Sequence, residues 1–421
     1  MNRLNSIPKV FLLSRHAPGD VDIGPVFLRD LCCMLPCDRI CCAHFRELIP
    51  QHRSLELTGM QIGRMDAPPE SGRPGTKRPE GHWAKRWHSL KRHVFERAIE
   101  VLRIPGVVRQ AEEFGRGAGA ELLWVPLDSP HSIRVAVPVA KALRVPLLVT
   151  VWDPPDYKLG QYGVDSHTKR RLLRRFDETL RFASCCAVAS EDMRIAYQSK
   201  YATRCVAMIR GPARPSLPPR TRDRQPRVII GYSGSLYALD EWNAFLKTLD
   251  DHHWQLDGRP VVVRVLSSAF SQQVSGPVQI EFLGWRSTEE TIRWLSETDL
   301  VYLPYWFSSR YEEVVNLAFP NKLATYVAAR VPVLFHGPRR SSPSRFFERY
   351  PVGLACHSLE PDQIWAAVRQ LASDQDVRSR ALAACDAAYQ EELNDEVFRR
   401  RFAEFLGIAP SLLESRRPCG S

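Results

Sequence analysis

Three places in the second half of the chain combine residue types that can hold a phosphate. The first is Gly231-Tyr-Ser-Gly-Ser235, directly after the apolar run Val228–Ile230. Glycine carries no Cβ, so backbone N–H groups can approach an anion closely, and a following helix adds its positive end. The second is the run Asp299–Tyr305 and the irregular stretch 306–319, which holds Arg310, Tyr311, Glu312 and Glu313. Long loops after buried strands carry function more often than packing. The third is Phe319-Pro-Asn-Lys322, opening a helix expected over Leu323–Ala329. Pro320 suits a helix start, but Lys322 in a first turn opposes the helix dipole. A cation there makes sense if an anion docks beside it. Without a ligand, the three read as a tight turn, a solvated loop and a solvated lysine.

Those places need a sheet whose strands end together. The chain alternates short apolar runs with helical periods. In the first half the runs are Lys9–Ser14, Glu121–Pro126, Pro146–Trp152, Cys185–Ala189 and Thr203–Ile209, with helical patterns at Val26–Leu35, Ser132–Leu143 and Lys169–Phe182 and from Glu191. After 211–227, which holds five prolines and no apolar period, the alternation restarts. Strands are expected at Val228–Gly231, Pro260–Leu266, Val278–Leu283, Asp299–Pro304 and Pro332–Phe335. Helices are expected at Asp240–Leu249, Thr288–Glu297, Asn321–Ala329 and Pro361–Leu371. Alternation of this kind predicts an α/β protein with mainly parallel, doubly wound sheets, and such sheets bind ligands beyond their strands' carboxyl ends. The expected organisation is a domain over 1–210, a proline-rich hinge at 211–227, a second domain over 228–390, a helix over 391–410 and a flexible tail over 411–421.

With 421 residues, the chain is long enough for two cores. Hydrophobic residues at 44% and charged residues at 25% exclude a mostly disordered chain. Lys plus Arg is 58 against 47 Asp plus Glu, a net charge of +11 that suits anionic partners. No segment reads as membrane-spanning and the start reads as lacking a signal peptide, so a cytoplasmic protein is expected. Cys32, Cys33, Cys37, Cys41, Cys42 and His44 cluster without zinc-knuckle spacing, and small apolar core side chains are the better reading. In the basic helical stretch His82–Phe114, Trp83, Trp87, Leu90, Val94, Phe95 and Ile99 recur at helical spacing until Pro105. A helix gripping anionic lipid is one reading, and a core helix with a solvated basic face is the favoured one.

The sequence resembles a GT-B glycosyltransferase of the broad family-4-like kind. GYSGS is similar to that family's glycine turn beneath the donor phosphates, and FLGW at 282–285 to a strand end near the nucleotide base. DLVYLPY at 299–305 and FPNKLATYVAARVPVLF at 319–335 resemble its "aDv.l.Py … PnKlyEYlAaGkPVv" stretch. In the first half the likeness is looser: SRHAPGDVDIGP, PLLVTVWDPP, AVASEDM and MIRGP carry it, as does the late helix Asp395–Leu406. The sequence departs from the pattern at Thr325 and Leu317, where acidic residues would hold the ribose and the donor sugar, so the paired-glutamate motif is absent. Arg330 stands for a glycine and Trp152 for a histidine.

The resemblance implies two Rossmann-like domains facing a central cleft, closing about residues 211–227, with the late helix crossing back to the first. It implies transfer of a sugar from a nucleotide-diphosphate donor to a glycan, lipid-linked or small-molecule acceptor, with retention favoured. Lys322 would neutralise the leaving diphosphate with the Gly234/Ser235 turn, no metal or other cofactor being expected. Asp153 would orient or deprotonate the acceptor hydroxyl, and Glu312 or Glu313 would replace the lost sugar contact. Donor contacts would come from Gly231, Ser233, Gly234, Ser235, Gly284, Trp285, Tyr305, Pro320, Asn321 and Thr325. Acceptor contacts would come from Arg15, His16 and Gly24. The partners implied are a nucleotide sugar and its acceptor, with peripheral contact to an anionic membrane surface and no nucleic acid. The alternatives are a degenerate GT-B domain that binds without transfer and a basic nucleic-acid or anionic-lipid binder. An epimerase or phosphorylase on the same fold is a weaker rival.

Overall fold

Uninterrupted apolar runs make strands covered on both faces, and six such buried strands with one exposed edge strand build the first sheet. The computed structural model describes residues 6–19, 23–45, 60–67, 82–217, 226–267 and 279–414. It divides into two units, Met1–Met208 with Arg399–Ser421, and Ile209–Phe398. The first unit holds β1 (Val10–Ser14), β2 (Ile40–His44), β3 (Gln61–Arg64), β4 (Leu122–Pro126), β5 (Leu147–Val151), β6 (Cys185–Val188) and β7 (Cys205–Ala207). Their order is β3-β2-β1-β4-β5-β6-β7, every pairing parallel. Val10 faces Ile40 on one side and Leu122 on the other, so the strand order reverses between β1 and β4. Doubly wound sheets place their crevice at such a reversal.

The second unit holds β8 (Val228–Ser233), β9 (Gln255–Leu256), β10 (Arg259–Leu266), β11 (Ile280–Phe282), β12 (Leu300–Pro304), β13 (Val333–His336) and β14 (Gly353–Cys356). Six run parallel in the order β11-β10-β8-β12-β13-β14, and β9 pairs antiparallel with β10. The second half's reversal therefore falls between β8 and β12, where two of the phosphate-like motifs begin. Helix starts follow local chemistry: Ser287 and Glu290 form a reciprocal capping box at Thr288–Ser296, and Ser129 and Ser132 another at Pro130–Leu143.

Several expectations shift in detail. Pro105 does not stop the basic helical stretch. The helix His82–Ala98 passes through a wide turn at Ile99–Arg103 into the helix Ile104–Gly117. Pro105 sits in that helix's first turn, where its missing N–H costs little. The first part of the proline-rich segment is bound to the second unit. A side chain on Gly211 would collide with the Asn394 backbone. Arg214 pairs with Asp386 at 2.7 Å and lies 4.1 Å over the Tyr389 ring. Residues 218–225 fall outside the described residues. The expected tail begins ordered: Leu413 is buried and Glu414 N–H donates to Met34 O, while 415–421 lie outside the described residues.

Cys41 and Cys42 are buried in β2, and burial pushes their thiols up to about 11 and about 12. Protonated thiols of this kind pack as small apolar groups. Among the described residues, no three His, Cys, Asp or Glu side chains converge as a metal site. Arg330 adopts φ +56 just past the helix Asn321–Ala328, the left-handed position that suits the family glycine. A non-glycine residue there costs about 1–2 kcal/mol, partly offset by the Arg330–Asp386 pair at 2.9 Å.

Candidate functional site

The site in the second unit is built where β8 ends. Ser233 closes the strand and its N–H donates to the Tyr326 hydroxyl. The chain then turns at Gly234, at φ +79, with its N–H donated to Leu266 O. That backbone shape is nearly free only for glycine. The next helix, Leu239–Asp251, begins several residues later and has no side-chain cap.

Lys322 reaches this bend from the first turn of Asn321–Ala328. Its Nζ donates to Tyr232 Oη at 2.7 Å and to Ser235 O at 3.0 Å. The ammonium also lies 4.3 Å from the Tyr232 ring centre and 4.5 Å from that of Tyr237. A Cβ on Gly234 would come within 3.9 Å of Lys322 Cε. Every one of these partners is neutral, and among the described residues Lys322 forms no ion pair. Burial accordingly pushes its ammonium down from 10.5 to about 7. Burial likewise pushes the Tyr232 hydroxyl well up, which keeps it a neutral acceptor. Tyr237 packs at a tilt against Trp306 at 4.6 Å, and Trp306 stacks on Tyr311 at 4.8 Å, with Trp306 Nε1–H donated to Tyr237 O. The loop after β12 thus braces the wall of the lysine cage. It is less irregular than expected, since 312–317 form a short helix.

Of the residues expected to act together, the fold gathers Ser233, Gly234, Ser235 and Lys322. Pro320 and Asn321 begin the same helix, with Pro320 buried and Asn321 half-buried, and Thr325 lies one turn on. Gly231 sits inside β8, where a Cβ would meet Leu295 at 2.8 Å, so packing alone demands glycine there. Tyr305 is buried and its hydroxyl donates to Ala318 O. Gly284, at φ +70, and Trp285 follow β11, two strands from β8. Glu313 is exposed in the first turn of Glu312–Leu317. The sequence reading missed the two tyrosines of the cage. Tyr232 lay inside the quoted GYSGS motif, but its apolar strand position masked it.

In the first unit, Arg15 follows β1, Asp128 follows β4 and Asp153 follows β5. The Arg15 guanidinium lies 4.8 Å over the Tyr162 ring, whose hydroxyl donates to Asp128 O. Asp153 stands 3.7 Å from Lys158. Burial raises the Asp128 carboxyl, an effect opposed by Lys158 and Arg15 and reinforced by Asp153. Charged and aromatic groups from three strand ends therefore meet at the reversal point, and Asp128, Lys158 and Tyr162 join the expected Arg15 and Asp153. His16 accepts the Ser14 hydroxyl on its carbonyl. Gly24, in the first helix, faces Trp152, which also packs edge-on against Phe27 at 5.5 Å.

The chain is similar over 95% of its length to HepE from Anabaena, solved with UDP and glucose, covering 99% of that protein at a TM-score of 0.61 and 14% identity. It is similar over 93% of its length to the sucrose-phosphate synthase of Thermosynechococcus elongatus, covering 96% of it at a TM-score of 0.60 and 14% identity. The lipopolysaccharide outer core galactosyltransferase WaaB aligns with 94% of the chain and 98% of its own length, at a TM-score of 0.52 and 10% identity. The fold is GT-B. No family model matches the chain, and no curated protein matches it. The two GT-B sheets carry the two residue clusters described above, each at the point where its strand order reverses.

Proposed function

We propose that the chain transfers a sugar from a nucleotide-diphosphate donor to a hydroxyl of a glycan, lipid-linked or small-molecule acceptor. The observation that carries this reading is the Lys322 ammonium, held against neutral oxygens and aromatic faces beside the Gly234 bend. A half-buried cation without a counterion is costly unless an anion completes it. A leaving diphosphate supplies that anion, and its negative charge grows as the sugar bond breaks, so Lys322 stabilises the transition state more than the ground state. The Ser235 turn amide provides a further donor, since the Gly234 N–H is held by Leu266 O, and no metal is assigned to the step. In the first unit, Asp153 beside Lys158 is the group to orient an acceptor hydroxyl or take its proton. HepE, solved with UDP and glucose, supports the donor class. The resemblance in sequence favours retention of configuration.

Thermal unfolding with UDP, GDP, ADP, TDP and CMP tests the reading. A nucleotide at 100 times its dissociation constant adds about 2.7 kcal/mol of stability. One diphosphate should raise the melting temperature and CMP should not, whereas a flat panel would remove the proposal. Binding without turnover on any donor sugar would leave the degenerate reading that Thr325 and Leu317 suggest.

The pH dependence follows from Lys322. Its folded pKa lies below its unfolded one, so the unfolded chain binds the extra proton between about 7 and 10.5. The lysine's contribution therefore makes stability rise with pH across that window. Nucleotide affinity should run the opposite way, since a diphosphate needs the ammonium. The dissociation constant should climb by up to about tenfold per pH unit above 7, with proton uptake on binding. Titration calorimetry in buffers of different ionisation enthalpy would detect that proton, and a pH-flat affinity without proton uptake would refute the linkage.

A further inference from the structure

The helix His82–Ala98 is turned inside out. Its carboxylate Glu96, with Glu100 of the wide turn that follows, points into the first unit: both are buried, Glu96 is 2.6 Å from Arg134, and Glu100 is 3.3 Å from Arg171. Several of its described apolar side chains point out. Trp87, Val94 and Phe95, with Val101 and Leu102 of the following wide turn, are each 50–74% exposed. Positions 87, 94, 98, 101 and 102 follow the three-to-four spacing of one helical face, and Ala98 on that face is exposed too. A helix of a water-soluble surface has the reverse arrangement. The favoured sequence reading, a core helix with a solvated basic face, is corrected at Trp87, Val94 and Phe95, whereas Ile99 is buried and the side chains of Trp83 and Leu90 lie outside the described residues. Burying Glu96 and Glu100 against arginines spends the polar face inward and leaves the apolar stripe with no cover among the described residues.

Cations flank the stripe. Lys91 lies 5.6 Å over the Trp87 ring, and Lys91, Arg97 and Arg103 are all exposed. The whole chain carries +11. We infer that this helix and the turn after it dock the first unit onto an anionic lipid bilayer, with the apolar stripe at headgroup depth and the flanking cations on lipid phosphates. Apolar residues bordered by lysine and arginine suit that surface on both counts. A second copy of the chain would meet the stripe with the same positive border and repel it. Nucleic acid would satisfy the cations but leave Val94, Phe95 and Leu102 against a polar backbone. The inference is independent of the donor chemistry proposed above.

Co-sedimentation of the full chain with phosphatidylcholine vesicles, with and without phosphatidylglycerol, tests it. The chain should pellet with the anionic vesicles at low salt and be released at high salt. Phe95→Glu should lower the partition coefficient by at least about tenfold, through lost burial and added repulsion. Lys91→Glu should lower it about tenfold through charge alone. Both side chains are exposed, and unchanged circular dichroism melts would show that the variants fold. Absence of binding to anionic vesicles, equal binding to neutral ones, or indifference to both substitutions would overturn the inference. So would a wild-type dimer that Phe95→Glu converts to monomer, because the stripe would then be an interface between copies.

Discussion

Replacing Lys322 with methionine should lower kcat/KM for sugar transfer by roughly 10²–10³, the usual loss when a pre-aimed donor to a developing oxyanion is removed. Methionine keeps the apolar stem that fills the space between Tyr232 and Tyr237 and deletes only the charge. The same substitution should leave stability unchanged or raise it at neutral pH, since burial penalises the ammonium and no carboxylate is described beside it. A gain in stability with a loss of turnover is the signature of a group kept for function. Steady-state kinetics and a thermal melt on the same variant provide the check. Wild-type turnover would remove Lys322 from the reaction, and a large fall in melting temperature would reassign it to structure. The rise in stability with pH between about 7 and 10.5 that Lys322 contributes should be absent from the variant.

Arg134→Ala should be the most destabilising single change in the first unit, by about 3–5 kcal/mol, because it strands buried carboxylates. Arg134 is 2% exposed and lies 2.6 Å from Glu96 and 3.4 Å from Glu100. Burial pushes the Glu100 carboxyl up, but Arg175, Arg134 and Arg171 more than offset it, so its pKa ends below the ordinary value. That depressed pKa contributes stability above the unfolded carboxyl range, lost as the pH falls through the folded value. Arg134→Ala weakens the offset, so the acid limb of the stability profile should move toward neutral pH. Urea unfolding across pH would show it, and Glu96→Gln with Glu100→Gln should recover much of the loss in the Arg134→Ala background. A cost below about 1 kcal/mol would mean that water already reaches the pair. Because Glu96 anchors the helix His82–Ala98 and Glu100 the turn after it, Arg134→Ala should also weaken vesicle binding without touching the exposed stripe.

Much of the scaffold was legible because it is written locally. Runs such as Val10–Ser14, Leu147–Val151 and Leu300–Pro304 are strands that neighbours bury on both faces, and burial on both faces needs nothing beyond the run itself. The misplacement of Lys322 in a helix's first turn was equally local, a conflict between one charge and one dipole. It singled out the residue whose ammonium the structure places against the Gly234 bend.

What the sequence by itself determined is therefore the alternation of elements, the paired α/β organisation and the one lysine that breaks the helix rules. Tertiary structure alone decided what surrounds that lysine. Tyr232, Ser235 and Tyr237 lie some ninety positions away along the chain, and only the β8 to β12 reversal brings the Asn321 helix over them. It also decided which face of His82–Ala98 turns outward. Period places Trp87, Val94 and Phe95 together, but the choice between core and solvent rests with Arg134 and Arg171, guanidiniums from other helices that draw Glu96 and Glu100 inward. Periodicity is a property of neighbours within a few residues, whereas an electrostatic partner is chosen by distance in space, which local spacing does not encode.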